Sequence, residues 1–133
     1  MKILLTAINA KYIHTNLAIR SLAEYAMAKH GGQIGCLEFT INQHPAAILR
    51  QLYREKPDAI GFSCYIWNME MVRQLARELR LLLPDCLLFF GGPEVSPEPE
   101  LELAEGVCDL VLLGEGEAPF AELYRRLLQE EDW

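Results

Sequence analysis

No stretch of this sequence reaches the ~18–20 uninterrupted apolar residues that a membrane-spanning helix needs, and none of its cysteines belongs to a CxxC pair. Cys36, Cys64, Cys86 and Cys108 are spaced 28, 22 and 22 residues apart, which fits neither a zinc site nor an iron–sulfur cluster. Each lies in or beside an apolar run, so reduced, buried structural thiols of a cytoplasmic protein are expected. Neither GxGxxG nor GxxxxGK[ST] occurs, which removes the dinucleotide fingerprint and the P-loop. Basic residues are scarce toward the end: residues 94–133 hold 2 lysines and arginines against 12 acids, whereas residues 1–93 hold 10 against 7. With a net charge of −7, a nucleic-acid or anionic-membrane surface is not expected, since either needs a basic face. The opening apolar run stops at Asn9 and Lys11, too short for a secretory signal and suited to a first buried strand.

What is present is a chain of 133 residues, 51% apolar and 23% charged, the composition and size of one globular domain. Short apolar runs alternate with helical patterns. Strands are expected at 2–8, 33–40, 59–63, 86–90 and 109–113, each a continuous apolar run of the kind a parallel strand buried on both faces produces. Helices are expected at 16–29, 45–55, 68–82, near 97–105 and at 118–130. Gly31-Gly32 closes the first, Pro45 opens the second, and Asn68 stands at the N-cap of the third. In that third helix Met71, Val72, Leu75, Leu79 and Leu82 are expected to face inward. Five strands each followed by a helix predict an α/β fold, a flavodoxin-like doubly wound five-stranded parallel sheet of order 2-1-3-4-5. In such sheets ligands bind outside the carboxyl ends of the strands at the switch point. Residues 9–16, 63–68, 91–96 and 114–118 therefore carry the functional question.

The first of these loops, Asn9 to Asn16, is polar and contains His14, for which two readings stand: a metal or cofactor ligand, or a loop histidine hydrogen-bonded near the first helix. After the third strand, Ser63 puts a hydroxyl at the strand end, and Tyr65 and Trp67 either face a flat ligand or fill the crevice. A phospho-receiver domain of the same architecture is excluded. It needs an acidic pair, an Asp and a Lys where this chain has Asn9, Ser63-Cys64 and Gly114. Gly91-Gly92-Pro93-Glu94 ends the fourth strand, and Gly114-Glu115-Gly116-Glu117 ends the fifth. Either glycine pair alone reads as a tight turn. Two on adjacent strands point to a ligand lying against main chain across that edge, and Glu117 can cap the last helix. An independent enzyme using Cys64 or His14 as nucleophile or base lacks a Cys–His–acid set to support it.

A strand ending in Ser63, then GGPE at 91–94 and GEGE at 114–117, resembles the N-terminal cobalamin-binding domain of class B radical SAM proteins over nearly the whole chain. The stretch Ala7 to Arg20 is similar to the start of one subfamily of those proteins. The resemblance implies that a corrinoid lies over the carboxyl edge with its dimethylbenzimidazole tail tucked toward the core. It implicates Ser63, Gly91, Gly92, Pro93, Glu94, Gly114, Glu115, Gly116 and Glu117 in holding it, and the reading of the loops adds Asn9, His14 and Tyr65 as cofactor-binding candidates. Other cobalamin domains carry Asp-x-His-x-x-Gly in the first loop. Here Tyr12 and Leu17 replace the Asp and the Gly, so cobalt ligation by His14 is not implied, and no metal ligand or catalytic residue is assigned. The CxxxCxxC loop that holds a [4Fe–4S] cluster is absent. The chain thus looks like a single N-terminal domain, 1–133, of a longer protein. Its partner would be a downstream S-adenosylmethionine domain performing methyl transfer or related radical chemistry. The alternative is a cofactor-free docking domain that packs on the catalytic domain.

Overall fold

In the computed structural model, residues 1–10, 16–95 and 97–133 are described. Five strands, β1 (Ile3–Asn9), β2 (Ile34–Thr40), β3 (Ala59–Ser63), β4 (Leu87–Gly91) and β5 (Leu110–Val111), form one sheet of order β2-β1-β3-β4-β5. All pairings are parallel. The helices α1 (Leu17–His30), α2 (Pro45–Arg54), α3 (Met69–Leu82), α4 (Pro99–Ala104) and α5 (Glu117–Leu128) connect them. The doubly wound order expected from the sequence is the order observed.

Because successive strand residues point to opposite faces, the sheet divides the apolar residues into two cores. One face packs Leu4 and Ile8, Ile60 and Phe62, and Leu88 and Phe90 against α2 and α3. The other packs Ile3, Leu5, Ala59, Leu87 and Phe89 against α1 and α5. On the α1/α5 face β3 contributes only Ala59, Gly61 and Ser63, while its other face carries Ile60 and Phe62. That asymmetry is written in the five letters AIGFS. It leaves the α1/α5 side of the central strand without bulk.

Local chemistry explains most of the boundaries. The Asn16 side chain accepts from the Ile19 N–H at 3.1 Å and caps α1, and Gly31, at φ +75°, ends it. Pro45 opens α2, with the His44 ring nitrogen accepting from the Ala46 N–H at 3.1 Å. Three expectations change in detail. Asn68 occupies the N-cap position of α3 without a side-chain capping bond, because its amide is engaged elsewhere. The inward face of α3 is Met69, Val72, Leu75, Ala76 and Leu79. Met71 is half-buried, and Leu82 is exposed because the helix ends there at the sheet's amino edge. β5 pairs with β4 over two residues only, Leu110 and Val111. Asp109 turns its carboxylate to the Leu88 N–H at 2.9 Å and to Arg80 at 2.8 Å, so its side chain serves the sheet edge.

Flanking α3, Arg73, Arg77 and Arg80 pair with Glu102, Glu105 and Asp109 at 2.5, 3.3 and 2.8 Å. These three pairs lace the short α4 and the start of β5 to α3. None of the four cysteines is paired; Cys64, Cys86 and Cys108 are buried and Cys36 is half-buried. Among the described residues, no helix is long and apolar enough to cross a membrane.

Candidate functional site

A cavity of about 400 Å³ opens at the carboxyl edge and runs down between the sheet and α1, reaching the turn that precedes α5. Its floor is a row of three residues in register across the central strands: Leu5 on β1, Gly61 on β3 and Phe89 on β4. Gly61 makes the depth available. A Cβ there would fall 2.3 and 2.5 Å from Phe89 ring atoms and 3.0 Å from a Leu5 methyl, so glycine lets the strand carry space instead of a side chain. Ala18, Ile19 and Leu22 of α1 form one wall, and Leu112 closes the opposite side. The polar side chains of the lining are Ser63, Tyr65 and Glu115. A deep apolar cavity with few polar groups at its mouth, of this volume, suits a largely apolar, uncharged group.

The mouth is main chain. Gly91, Gly92 and Pro93 after β4, and Gly114 and Gly116 after β5, line it. Gly92 sits at φ +106°, and a Cβ on it would lie 2.6 Å from the Cys64 carbonyl oxygen and 2.9 Å from the Cys64 nitrogen. Both the left-handed backbone and the close approach require glycine here. The turn is fastened to the end of β3, with the Cys64 N–H donating to Gly91 O at 2.7 Å and the Glu94 N–H donating to Cys64 O at 3.2 Å. Gly116, at φ +88°, is the N-cap of α5. Glu117 therefore stands in the first turn of that helix, where its charge favours the helix dipole.

Beyond β3, one buried side chain organises the turn. The Asn68 Nδ2 donates to Ile8 O and Ser63 O, both at 3.0 Å, and its Oδ1 accepts from the Tyr65 N–H at 2.9 Å. Tyr65 stacks on Trp67 with ring centroids 4.5 Å apart and planes within 4°, and the Trp67 Nε1 donates to Ile8 O at 3.2 Å. Tyr65 faces the cavity, whereas Trp67 faces the groove between α3 and α4.

On the other flank, Asn9 is buried and hydrogen-bonded to Glu38 at 3.2 Å and to Asn16 at 3.3 Å. Glu38 also accepts from the Asn16 N–H and from Arg20 at 2.7 Å. Partial burial alone raises this carboxyl, but the bonds from Arg20, Asn16 and Asn9 outweigh it and hold the group below the usual glutamate range.

Of the residues singled out from the sequence, Ser63, Tyr65, Gly91, Gly92, Pro93, Gly114, Glu115 and Gly116 converge on the cavity. Asn9, at the end of β1 and bonded to the N-cap of α1, Glu94 and Glu117, both exposed, are not part of the lining, and His14 lies outside the described residues. Sequence reasoning missed the floor and the α1 wall. Burial pushes the Cys64 thiol far up, Cys86 to about 11 and Cys108 to about 12. These thiols are protonated and shielded at neutral pH, which leaves Cys64 without nucleophile character.

Comparison with known proteins follows the same line. The profile of the family described as B12 binding domain matches residues 3–124. The hopanoid C-3 methylase of Methylococcus capsulatus is 34% identical over 114 residues, 84% of this chain and 22% of that protein. The cobalamin-dependent radical SAM methyltransferase TokK of Streptomyces tokunonensis is 32% identical over 56% of this chain and 11% of its own length. Among solved structures, the cobalamin-dependent S-adenosylmethionine radical enzyme OxsB with aqua-cobalamin and S-adenosylmethionine bound superposes with a TM-score of 0.76 at 17% identity. That match covers 99% of this chain and 19% of OxsB. A cobalamin-binding protein from Desulfitobacterium hafniense gives a TM-score of 0.66 at 14% identity, covering 94% of this chain and 58% of that one. The structural matches speak to the fold. The chain spans about a fifth or less of the length of the two sequence relatives.

Proposed function

The chain belongs to the B12 binding domain family, and on that footing we propose that it holds a corrinoid at the carboxyl edge of its sheet as one part of a longer radical SAM protein. The observation that carries this reading is the glycine-floored cavity. Its apolar depth between α1 and the row Leu5–Gly61–Phe89 takes the planar benzimidazole tail of a cobalamin. The turns at Gly91–Pro93 and Gly114–Gly116 offer main chain, free of side-chain bulk, on which the rest of the nucleotide and the macrocycle rest.

Ser63, Tyr65 and Glu115 supply the hydrogen-bonding groups at the mouth, and Glu94 and Glu117 flank the two turns. Asn9 supports the α1 side through Glu38 and Asn16. His14 is retained as a contact from the first loop, not as a cobalt ligand, since the residues around it depart from the ligating motif. A bound corrinoid supplies a cobalt centre that carries a methyl group or exchanges electrons. This chain's own residues bind it, exclude water from the tail and orient the ring; no catalytic residue is assigned among them.

The small share of each relative that the chain spans supports reading residues 1–133 as the N-terminal domain of a larger protein. Its partner is a downstream domain holding a [4Fe–4S] cluster and S-adenosylmethionine, and the parent reaction is methyl transfer or a related radical transformation. Four unpaired cysteines support a cytoplasmic site.

The test is direct. The purified chain is mixed with hydroxocobalamin, desalted, and examined by visible spectroscopy and thermal denaturation. A corrin spectrum that co-elutes with protein, with a raised Tm, is expected. Loss of the spectrum on desalting with no Tm change would overturn the reading and leave a cofactor-free docking domain.

A further inference from the structure

Helix α1 forms a wall of the cavity, yet its first turn contains no acidic residue to meet the positive end of its dipole. The missing charge comes from another strand. Glu38 lies on the edge strand β2, opposite Ala7 of β1, and is not part of the cavity lining. One of its carboxylate oxygens accepts from the Asn9 Nδ2 at 3.2 Å and from the Asn16 backbone N–H; the other accepts from Arg20 at 2.7 Å. Asn16 in turn caps α1 through Ile19 and donates to the Asn9 Oδ1 at 3.3 Å. A single carboxylate thus fastens the end of β1, the N-cap of α1 and the first turn of α1. Ala18, Ile19 and Leu22, which border the cavity, follow directly.

The geometry points to Glu38 as a positioning residue for the corrinoid site: it sets where the N-terminal turn of α1 stands against the sheet and so fixes the width of the cavity. This rests on the function proposed above. A residue that never touches the ligand acts here by holding one wall at its distance. Charge-assisted bonds to a backbone N–H and an arginine suit that task, since they are directional and resist exchange with water.

The experiment compares Glu38→Ala and Glu38→Gln with Glu55→Ala. Glu55 pairs with Lys2 at 2.5 Å and lies outside the cavity, so its variant controls for a general loss of stability. Hydroxocobalamin affinity is read by spectral titration, and amide hydrogen exchange is read by mass spectrometry with and without ligand. Glu38→Ala is expected to weaken binding at least tenfold and to speed exchange across Asn16–Leu22, while Glu55→Ala changes neither. Glu38→Gln, which keeps one acceptor for the Asn16 N–H but loses the charge that holds Arg20, should fall between. If Glu38→Ala does not fold, the Gln variant alone decides. Binding within twofold of wild type by both Glu38 variants would overturn the proposal, as would an equal loss in Glu55→Ala. If the wild type itself binds no corrinoid, the function proposed above fails. The exchange data then still decide, because unchanged protection of Asn16–Leu22 removes the positioning role.

Discussion

Gly61→Ala separates the cavity from the rest of the fold. The added Cβ would lie 2.3 and 2.5 Å from atoms of the Phe89 ring, so the ring must move. It stacks on Phe120 at 5.9 Å on one side, and the open space beside it is the cavity. The ring is therefore expected to swing into that space and plug it. Overpacking of this kind costs about 1–3 kcal/mol, which lowers Tm by roughly 5–10 °C and leaves the chain folded. The cost to binding is larger. A bicyclic aromatic group buries about 150 Å² or more, worth roughly 4 kcal/mol at ~25 cal/mol per Å², so loss of even part of that burial weakens binding by about a hundredfold. Spectral titrations with hydroxocobalamin and with cobinamide, which lacks the nucleotide tail, read the effect. Wild type should prefer hydroxocobalamin, and Gly61→Ala should lose that preference while its cobinamide affinity stays within a few-fold. A variant that keeps the preference, or loses affinity for both alike, would refute tail insertion along Gly61.

The two glycine turns should differ in mutational cost. Gly92→Ala meets the Cys64 backbone at 2.6 Å on top of φ +106° and should lose about 2–4 kcal/mol in urea unfolding, whereas Gly114→Ala, with open space around it, carries only its φ penalty of about 1 kcal/mol. Iodoacetamide labelling of the native protein, read by mass spectrometry, should modify half-buried Cys36 before Cys64, Cys86 and Cys108; early labelling of Cys64 would contradict its shielding. Because the folded pKa of Glu38 is depressed, its stabilisation is full above the unfolded value near ~4.3 and fades as pH falls through the folded value. Glu38→Gln should thus cost about 1 kcal/mol at pH 7 and little near pH 2; an equal deficit at both would show that its charge is not what matters.

The periodic elements were legible because burial on both faces forces continuous apolar strands, and the topology followed from strand–helix alternation. Where the reading went astray, a competing interaction decided. Asn68 stands at the N-cap of α3 as expected, but its side chain makes no capping bond because its amide satisfies the Ile8 and Ser63 carbonyls and the Tyr65 N–H, an arrangement that no helix-start pattern displays. Of the run Asp109–Leu113 only Leu110 and Val111 pair in register with β4; Asp109 and Leu112 each still donate a backbone N–H to that strand, at 2.7 and 2.8 Å, and Leu113 is exposed. The rim of the candidate site was readable from glycine pairs at strand ends. Its floor was not legible in the loops, because the cavity reaches two residues down the strands. One signal was available: a glycine in the middle of AIGFS, on the small-residue face of an otherwise bulky strand. The α1 wall carried no such mark, for Ala18, Ile19 and Leu22 look like any helix core.

The small-residue face of β3 makes the two sides of the sheet unequal partners. The α2/α3 side is closed by protein alone, whereas the α1/α5 side keeps an open cavity, which in the function proposed above a corrinoid fills. A molecule that fills that gap binds only the folded chain, so each tenfold rise in its free concentration above Kd adds about 1.4 kcal/mol of stability. The apo chain is then weakest along α1, and its melting temperature becomes a gauge of how much cofactor is present. Proteolytic lifetime would follow the same gauge, so the supply of cofactor would govern how much of the protein endures.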